Sequence, residues 1–491
     1  MPKGRRAVQW GLVALTSLSF ALPAGAVGDS IEQAIDEEMS SSGVPGLAWA
    51  VVIDGEVAEM GARGVLNTNG DDPVTPHTQF SVGSITKSVT ALAIMQLVEA
   101  AEMDLDAPVS DYLDSFSGQP GGEVTIRQLL SHTSGYSTTQ GNSADSVDIT
   151  AVAGDGEVGD AALERRVDAL ATVVPEGGAN QFWAYSNLNY QIAGRVVEVV
   201  SGESYHDYVA ANILEPIGMD DSFAADGGVY PEMATGHRPW FVTKRPNAEN
   251  GTDVVTAPQG GLISSAHDLG LYMATMMNGE DDVLSAAGKA QMMRPANSVA
   301  TFYGLGWFLD SEDDTVWHSG STPGFESLAT MMPSQDKAVV VLVNGGSGIG
   351  FGETTQLRNA VTAAGLGLEY GGEGSRVGQQ SLFVSLALLP IGYALATLWA
   401  WRRPDGVRAK RSQGAAGLFS LWFPLLTTVA TAWFMVWLLP GLIGAPIGTI
   451  NLFQPDFGLT LYAAAVLGVV WSVFRLGVAY TGPSRDAATP R

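Results

Sequence analysis

The block Ser84-Ile85-Thr86-Lys87 places a hydroxyl and an amine three positions apart. A serine hydroxyl is a weak nucleophile and needs a neighbouring base to take its proton. Residues three apart share a helix face, so Lys87 can stand beside Ser84 if a helix starts there. The N-terminus of that helix adds backbone N–H donors and favours developing negative charge. The expected chemistry is acyl transfer to a serine. The same spacing recurs at Ser334-Gln335-Asp336-Lys337, which reads as a solvated turn between strands. Company separates the two. Tyr185-Ser186-Asn187 follows the Pro175-Glu176-Gly177 turn and the aromatic pair Phe182-Trp183, and His318-Ser319-Gly320 ends an apolar run.

Other chemistries find little support. Cysteine is absent, so neither a disulfide framework nor thiol chemistry is available. No HExxH or Cys/His cluster marks a metal site, and no GxSxG elbow competes for the nucleophile. The glycines of Gly345-Gly346-Ser347-Gly348 lack a strand-to-helix phosphate fingerprint. His77, His132, His206, His237 and His267 are scattered and read as structural. Neither a cofactor nor a metal is expected.

The elements that must position these blocks are legible in outline. An amphipathic helix is expected over 30–41, then a hairpin in which Gly46–Ile53 and Glu56–Gly64 flank Asp54-Gly55. Apolar Val89, Ala93, Ile94, Leu97 and Val98 recur at helical spacing over 86–101. Strands are expected over Tyr303–Asp310, Val316–Ser319, Glu326–Met332 and Ala338–Asn344, with a turn at 333–337 and a closing helix over 352–364. Strands at both ends with helices between them imply an α+β fold. Its antiparallel sheet is assembled from both ends of the segment, flanked by helices, and interrupted by a helical insertion.

Charge divides the chain. Residues 27–375 hold 48 acidic and 13 basic side chains, whereas 1–26 hold three basic residues and no acid. So acidic a domain repels nucleic acid and anionic lipid. Either a halophile, whose carboxylates keep the surface hydrated in salt, or an ordinary acidic exported protein fits that balance. The start, Lys3-Gly4-Arg5-Arg6 before an apolar run and Ala24-Gly25-Ala26, has the order of a signal peptide over 1–26. After a domain over 27–366 and a Gly-rich tether over 367–380, a membrane domain is expected over 381–491. Its apolar spans lie near 381–401, 417–439 and 457–480. Arg402, Arg403, Arg408, Lys410 and Arg411 fill the first inter-span loop, so by the positive-inside rule that loop is cytoplasmic. The domain before the spans is then extracytoplasmic, anchored to the cell membrane.

SxxK, then YxN, then a basic residue-x-Gly, in this order, resembles the class C β-lactamase-like and penicillin-binding serine hydrolases. Thr125–Gly135 (TIRQLLSHTSG), Tyr303-Gly304-Leu305-Gly306-Trp307 and Thr322-Pro323-Gly324-Phe325 are similar to that family too. The resemblance implies an acyl-enzyme on Ser84, with Lys87 or Tyr185 as the base. It implies Asn187, His318 and Gly320 as substrate-binding residues, and an oxyanion hole from the backbone N–H groups of Ser84 and Ser321. The substrate would be a small molecule or a peptide. Family members that hydrolyse β-lactams usually carry Lys where His318 stands. A neutral histidine binds a carboxylate poorly, so the implied substrate is an ester, amide or peptide. The alternative is a penicillin-recognising sensor or binding protein that is acylated without turnover.

Overall fold

A computed structural model describes residues 24–146 and 161–481 of the chain; the expected leader, up to residue 23, lies outside the described residues. The chain divides into two compact units, one running to Ser375 and the other beginning at Arg376.

In the first unit, helix α1 (Ala24–Ser42) leads into the hairpin β1 (Gly46–Ile53) and β2 (Glu56–Gly64). The hairpin turns at Asp54-Gly55, both at positive φ, as a two-residue turn requires. Four later strands complete an antiparallel sheet: β8 (Phe308–Asp310), β9 (Thr315–Thr322), β10 (Phe325–Met332) and β11 (Lys337–Val343). Their spatial order is β2-β1-β11-β10-β9-β8, so strands from both ends of the unit share one sheet. The α+β architecture expected from the sequence is the one observed.

The central strand β11 is buried on both faces. Ala338, Val340 and Leu342 join the main core, whereas Val339, Val341 and Val343 pack with Ile31 and Ile35 of α1 and with Leu357 and Val361 of the closing helix Thr355–Leu366. That explains its unbroken apolar sequence, since a strand covered on both sides has no polar face to alternate with. Each valine, leucine or isoleucine among them, fully buried, stabilises by roughly 1.5–3 kcal/mol.

Between the hairpin and β8 lies the helical insertion. It contains α2 (Thr86–Glu99), α3 (Ile126–Leu130), α4 (Asn187–Ser201) and α5 (Ala266–Met277). Two small sheets that sequence reading did not foresee are set among them. One is β3 (Phe80–Ser81), β7 (Leu262–Ser264) and β4 (Phe223–Ala224); the other is β5 (His237–Trp240) and β6 (Thr243–Pro246). Strands of two to four residues carry too little alternation to be read.

The strand expected over Tyr303–Asp310 is shorter, beginning at Phe308. Gly306 is the physical reason: its φ is +78°, and a Cβ there would lie 2.8 Å from the Lys87 carbonyl oxygen. The backbone is pressed onto α2 instead of extending, and Tyr303 folds back to bridge Phe308.

Among the described residues, the second unit contains three helices long and apolar enough to cross a membrane: Val377–Arg402, Gly414–Leu442 and Pro455–Tyr480. The first includes Val377–Gln380, so the tether expected over 367–380 ends earlier, at Arg376. Large apolar side chains such as Leu388, Leu395, Trp399 and Trp437 are exposed, as lipid-facing positions are. The third helix is the most enclosed, packing against both others. It bonds to the second through Thr428 Oγ1 and Ser472 Oγ (3.0 Å) and from Arg475 to the Ser420 carbonyl (2.7 Å).

Candidate active site

Ser84 sits in a 3₁₀ turn, Gly83–Ile85, that runs directly into α2. Two hydroxyls fix this helix start. Thr86 Oγ1 donates to the Gly83 carbonyl (2.6 Å) and accepts from Leu262 N (3.0 Å), and Ser88 Oγ donates to the Ile85 carbonyl (2.8 Å). Gly83 itself adopts φ +56°, a region that favours glycine.

Lys87 is fully buried, one turn behind Ser84. Its ammonium donates to Ser84 Oγ (2.9 Å), to Asn187 Oδ1 (2.9 Å) and to the Gln259 carbonyl (2.7 Å). Asn187 opens helix α4, and Tyr185 precedes it by two residues, with its ring centroid 4.8 Å from Lys87 Nζ. The structure thus brings Ser84, Lys87, Tyr185 and Asn187 together from two helix starts a hundred residues apart in sequence.

The third block arrives on β9. A Cβ on Gly320 would fall 1.9 Å from the Val82 carbonyl and 2.4 Å from Ser327 Oγ, and one on Gly83 would fall 2.5 Å from Ser321 N. Backbone therefore meets backbone here, which sets Ser84 and Ser321 side by side. Gly320→Ala is expected to force β9 away from this turn. Overpacking of this kind costs about 1–3 kcal/mol, and a shift of about 1 Å at reacting groups costs about 100-fold in rate. Melting temperature and turnover of the variant check both; a variant with wild-type values of each would contradict the close approach.

His318 is buried on β9, and both ring nitrogens are engaged. Nδ1 lies 2.6 Å from the Ser319 carbonyl, which can only accept, so Nδ1 carries the proton. Nε2 then accepts from the Tyr303 hydroxyl at 3.2 Å. Burial, reinforced by the Lys87 charge, holds the imidazole down at about 3, so it is neutral at physiological pH. Burial keeps Tyr303 protonated by pushing its pKa well up.

His132 is one of the histidines expected from the sequence to be structural. The structure places it in the site, with its ring 4.3 Å from that of Tyr185. His132 Nδ1 accepts the Ser186 backbone N–H at 3.1 Å, so it orients the Tyr185-Ser186-Asn187 block from behind. It too is held neutral, by burial and then by Lys87. Its place within the Ser131–Gly135 block was the available signal. Gln259, by contrast, contributes a backbone carbonyl, which no residue type announces. Beyond His318, an aromatic wall continues through Tyr303, Phe308 and Trp183, with Phe302 half exposed at its edge.

Residues 31–364 match the family described as Beta-lactamase, and the chain belongs to that family. It is a serine hydrolase of the β-lactamase-like class. The chain is 33% identical over 336 residues to penicillin-binding protein 4 of Amycolatopsis lactamdurans, a match covering 63% of this chain and 83% of that one. It is similar to the octameric penicillin-binding protein homologue from Pyrococcus abyssi, with a TM-score of 0.58 and 28% identity over 69% of this chain and 77% of that one. D-amino acid amidase from Ochrobactrum anthropi SV3, solved with L-phenylalanine amide, shares the fold. Its TM-score is 0.57 and its identity 22%, over 69% of this chain and 97% of that one.

Proposed function

We propose that this chain is a membrane-tethered hydrolase that forms an acyl-enzyme on Ser84 and cleaves uncharged esters, amides or peptides. The observation that carries the reading is the buried Lys87 Nζ held between Ser84 Oγ and Asn187 Oδ1. As Ser84 Oγ bonds to the substrate carbonyl carbon, its proton passes to Lys87, arriving neutral, or to Tyr185, arriving as a phenolate beside Lys87. The carbonyl oxygen gains the negative charge and is stabilised by the N–H groups of Ser84 and Ser321. The bond to the leaving group breaks as the base returns the proton to it. Water then repeats the sequence and frees Ser84. Asn187 holds Lys87 and meets a substrate amide, and Gly320 lets the β9 backbone approach.

His318 narrows the substrate. Neutral, with both nitrogens engaged, it offers no fixed charge to a substrate carboxylate, and the aromatic wall beside it suits an apolar acyl group. The family match and the penicillin-binding protein relative support a hydrolase on this fold. The three apolar helices, with the basic stretch Arg402–Arg411 after the first, support a membrane anchor with the hydrolase domain outside the cell. The acidic surface supports activity in high salt.

Purified full-length protein in detergent, at low and high salt, is to be assayed with matched ester and D-amino acid amide pairs that differ by one free carboxylate, and with a chromogenic β-lactam. The neutral member is expected to have kcat/KM at least about tenfold higher, roughly 1.4 kcal/mol. A preference for the carboxylate would overturn the reading of His318. Stoichiometric acylation by the β-lactam with no turnover of any substrate would replace the hydrolase with a sensor.

A further inference from the structure

We propose that His77, Asp221 and His267 form a binding site for a divalent transition metal of the Zn²⁺ class. The three come from separate segments: the turn before β3, the stretch leading to β4, and the first turn of α5. Their ligand atoms all lie within 4.8 Å of one another. His77 Nδ1 is 2.8 Å from Asp221 Oδ2, and the imidazoles of His77 and His267 are 4.7 Å apart, inclined at 37°. Two imidazoles and a carboxylate are the ligand types Zn²⁺ takes, at about 2.0–2.2 Å, commonly with water in a fourth position. The His77 side chain is half exposed, so it can turn and the ion can enter.

What stands behind these ligands distinguishes them from a chance surface ion pair. Asp268 is 1% exposed. Its Oδ1 lies 3.0 Å from His267 Nδ1, and its Oδ2 accepts from Asp221 N (2.7 Å) and Ser222 Oγ (2.8 Å). A buried carboxylate on Nδ1 fixes the tautomer of a metal-binding histidine and leaves Nε2 as the ligand. The same carboxylate holds the backbone of the second ligand. Further bonds, from His267 N to the Pro76 carbonyl (3.1 Å) and from Gln79 Nε2 to the Asp221 carbonyl (3.0 Å), tie the three segments at this separation. A His77–Asp221 pair alone needs neither the second histidine nor the buried acid behind it.

The sequence offers no metal motif because the ligands are far apart, His77 and Asp221 being 144 residues distant. A metal that binds all three in the folded chain and not in the unfolded one stabilises the fold by its binding free energy, in a protein with no cysteine to form a disulfide. The site is built next to β3, with His77 three residues before that strand, from residues other than those around Ser84.

The test uses full-length protein in detergent, stripped with EDTA and desalted, with ZnCl₂ and CoCl₂ as probes. One Zn²⁺ per chain is expected to be retained, melting is expected about 3 °C or more higher with Zn²⁺, and Co²⁺ is expected to give a tetrahedral d–d absorption band. His77→Gln and His267→Gln should lose the band and the melting shift and weaken binding at least about 100-fold. Asp268→Asn should weaken it about 10–100-fold. Melting without metal shows that each variant is folded, and none of these readouts depends on turnover. Absence of stoichiometric binding at about 100 μM Zn²⁺, or binding unchanged in His77→Gln and His267→Gln, would overturn the proposal.

Discussion

Ser84→Ala should abolish turnover, lowering kcat by at least about 10³-fold with any substrate the wild type cleaves. The variant is a clean probe because little else changes. Removing Oγ leaves Lys87 its bonds to Asn187 Oδ1 and the Gln259 carbonyl, so the buried ammonium keeps partners and the fold should stand. Lys87→Ala removes the same step from the other side and should lower kcat comparably. It also leaves a cavity where a fully buried side chain was, so its melting temperature must be measured beside its activity. Because the two residues act as one unit, the double variant is expected to be no slower than the slower single one. Intact-mass measurement after mixing with a slow substrate should show an adduct in wild type and none in Ser84→Ala. Activity of Ser84→Ala within tenfold of wild type would remove the nucleophile assignment.

The pairing of Ser84 with Lys87 was legible because side-chain type and helical spacing carry it. Ser334 and Lys337 share the motif, yet Ser334 is exposed in a 3₁₀ turn and Lys337 opens β11. The core was legible too: the hairpin and the helix after Ser84 follow their apolar periodicity nearly residue for residue. Less of the site's surroundings could be read. The Gln259 carbonyl that holds Lys87 has no residue signature, the tautomer of His318 is set by the Ser319 backbone carbonyl, and Tyr303, which bonds its other nitrogen, arrives only because Gly306 bends the chain onto α2. Contacts made by backbone, or by chain bending around glycine, leave little trace in a pattern of side chains.

The same buried imidazoles set the response to acid. His132, His237 and His318 are all pushed downward by burial, the first and last also by Lys87. Between the ordinary histidine value, about 6.5, and about 3 the unfolded chain binds a proton at the position of His318 while the folded chain does not. Stability therefore falls as pH falls through this window, and rises with pH until both states are neutral. His318 alone should lose about 2 kcal/mol of stability between pH 7 and pH 5, and His132 and His237 act in the same direction. Carboxylates held low, Asp106 by Arg127 and Asp282 by its hydrogen bonds, work with the same sign only near and below pH 4, the unfolded carboxylate range. Relief of repulsion among the many acids, which opposes unfolding, belongs to that lower range as well. Denaturant unfolding of full-length protein, followed by tryptophan fluorescence from pH 7.5 to 4.5, should show proton uptake on unfolding. In His318→Phe the slope at pH 5 should be smaller by about one proton. A stability independent of pH between 7 and 5 would mean that these histidines titrate in the fold as they do unfolded, and a stability that rose as pH fell would mean that they are charged in the fold, which would return to His318 the cationic role that its buried, doubly engaged ring denies it.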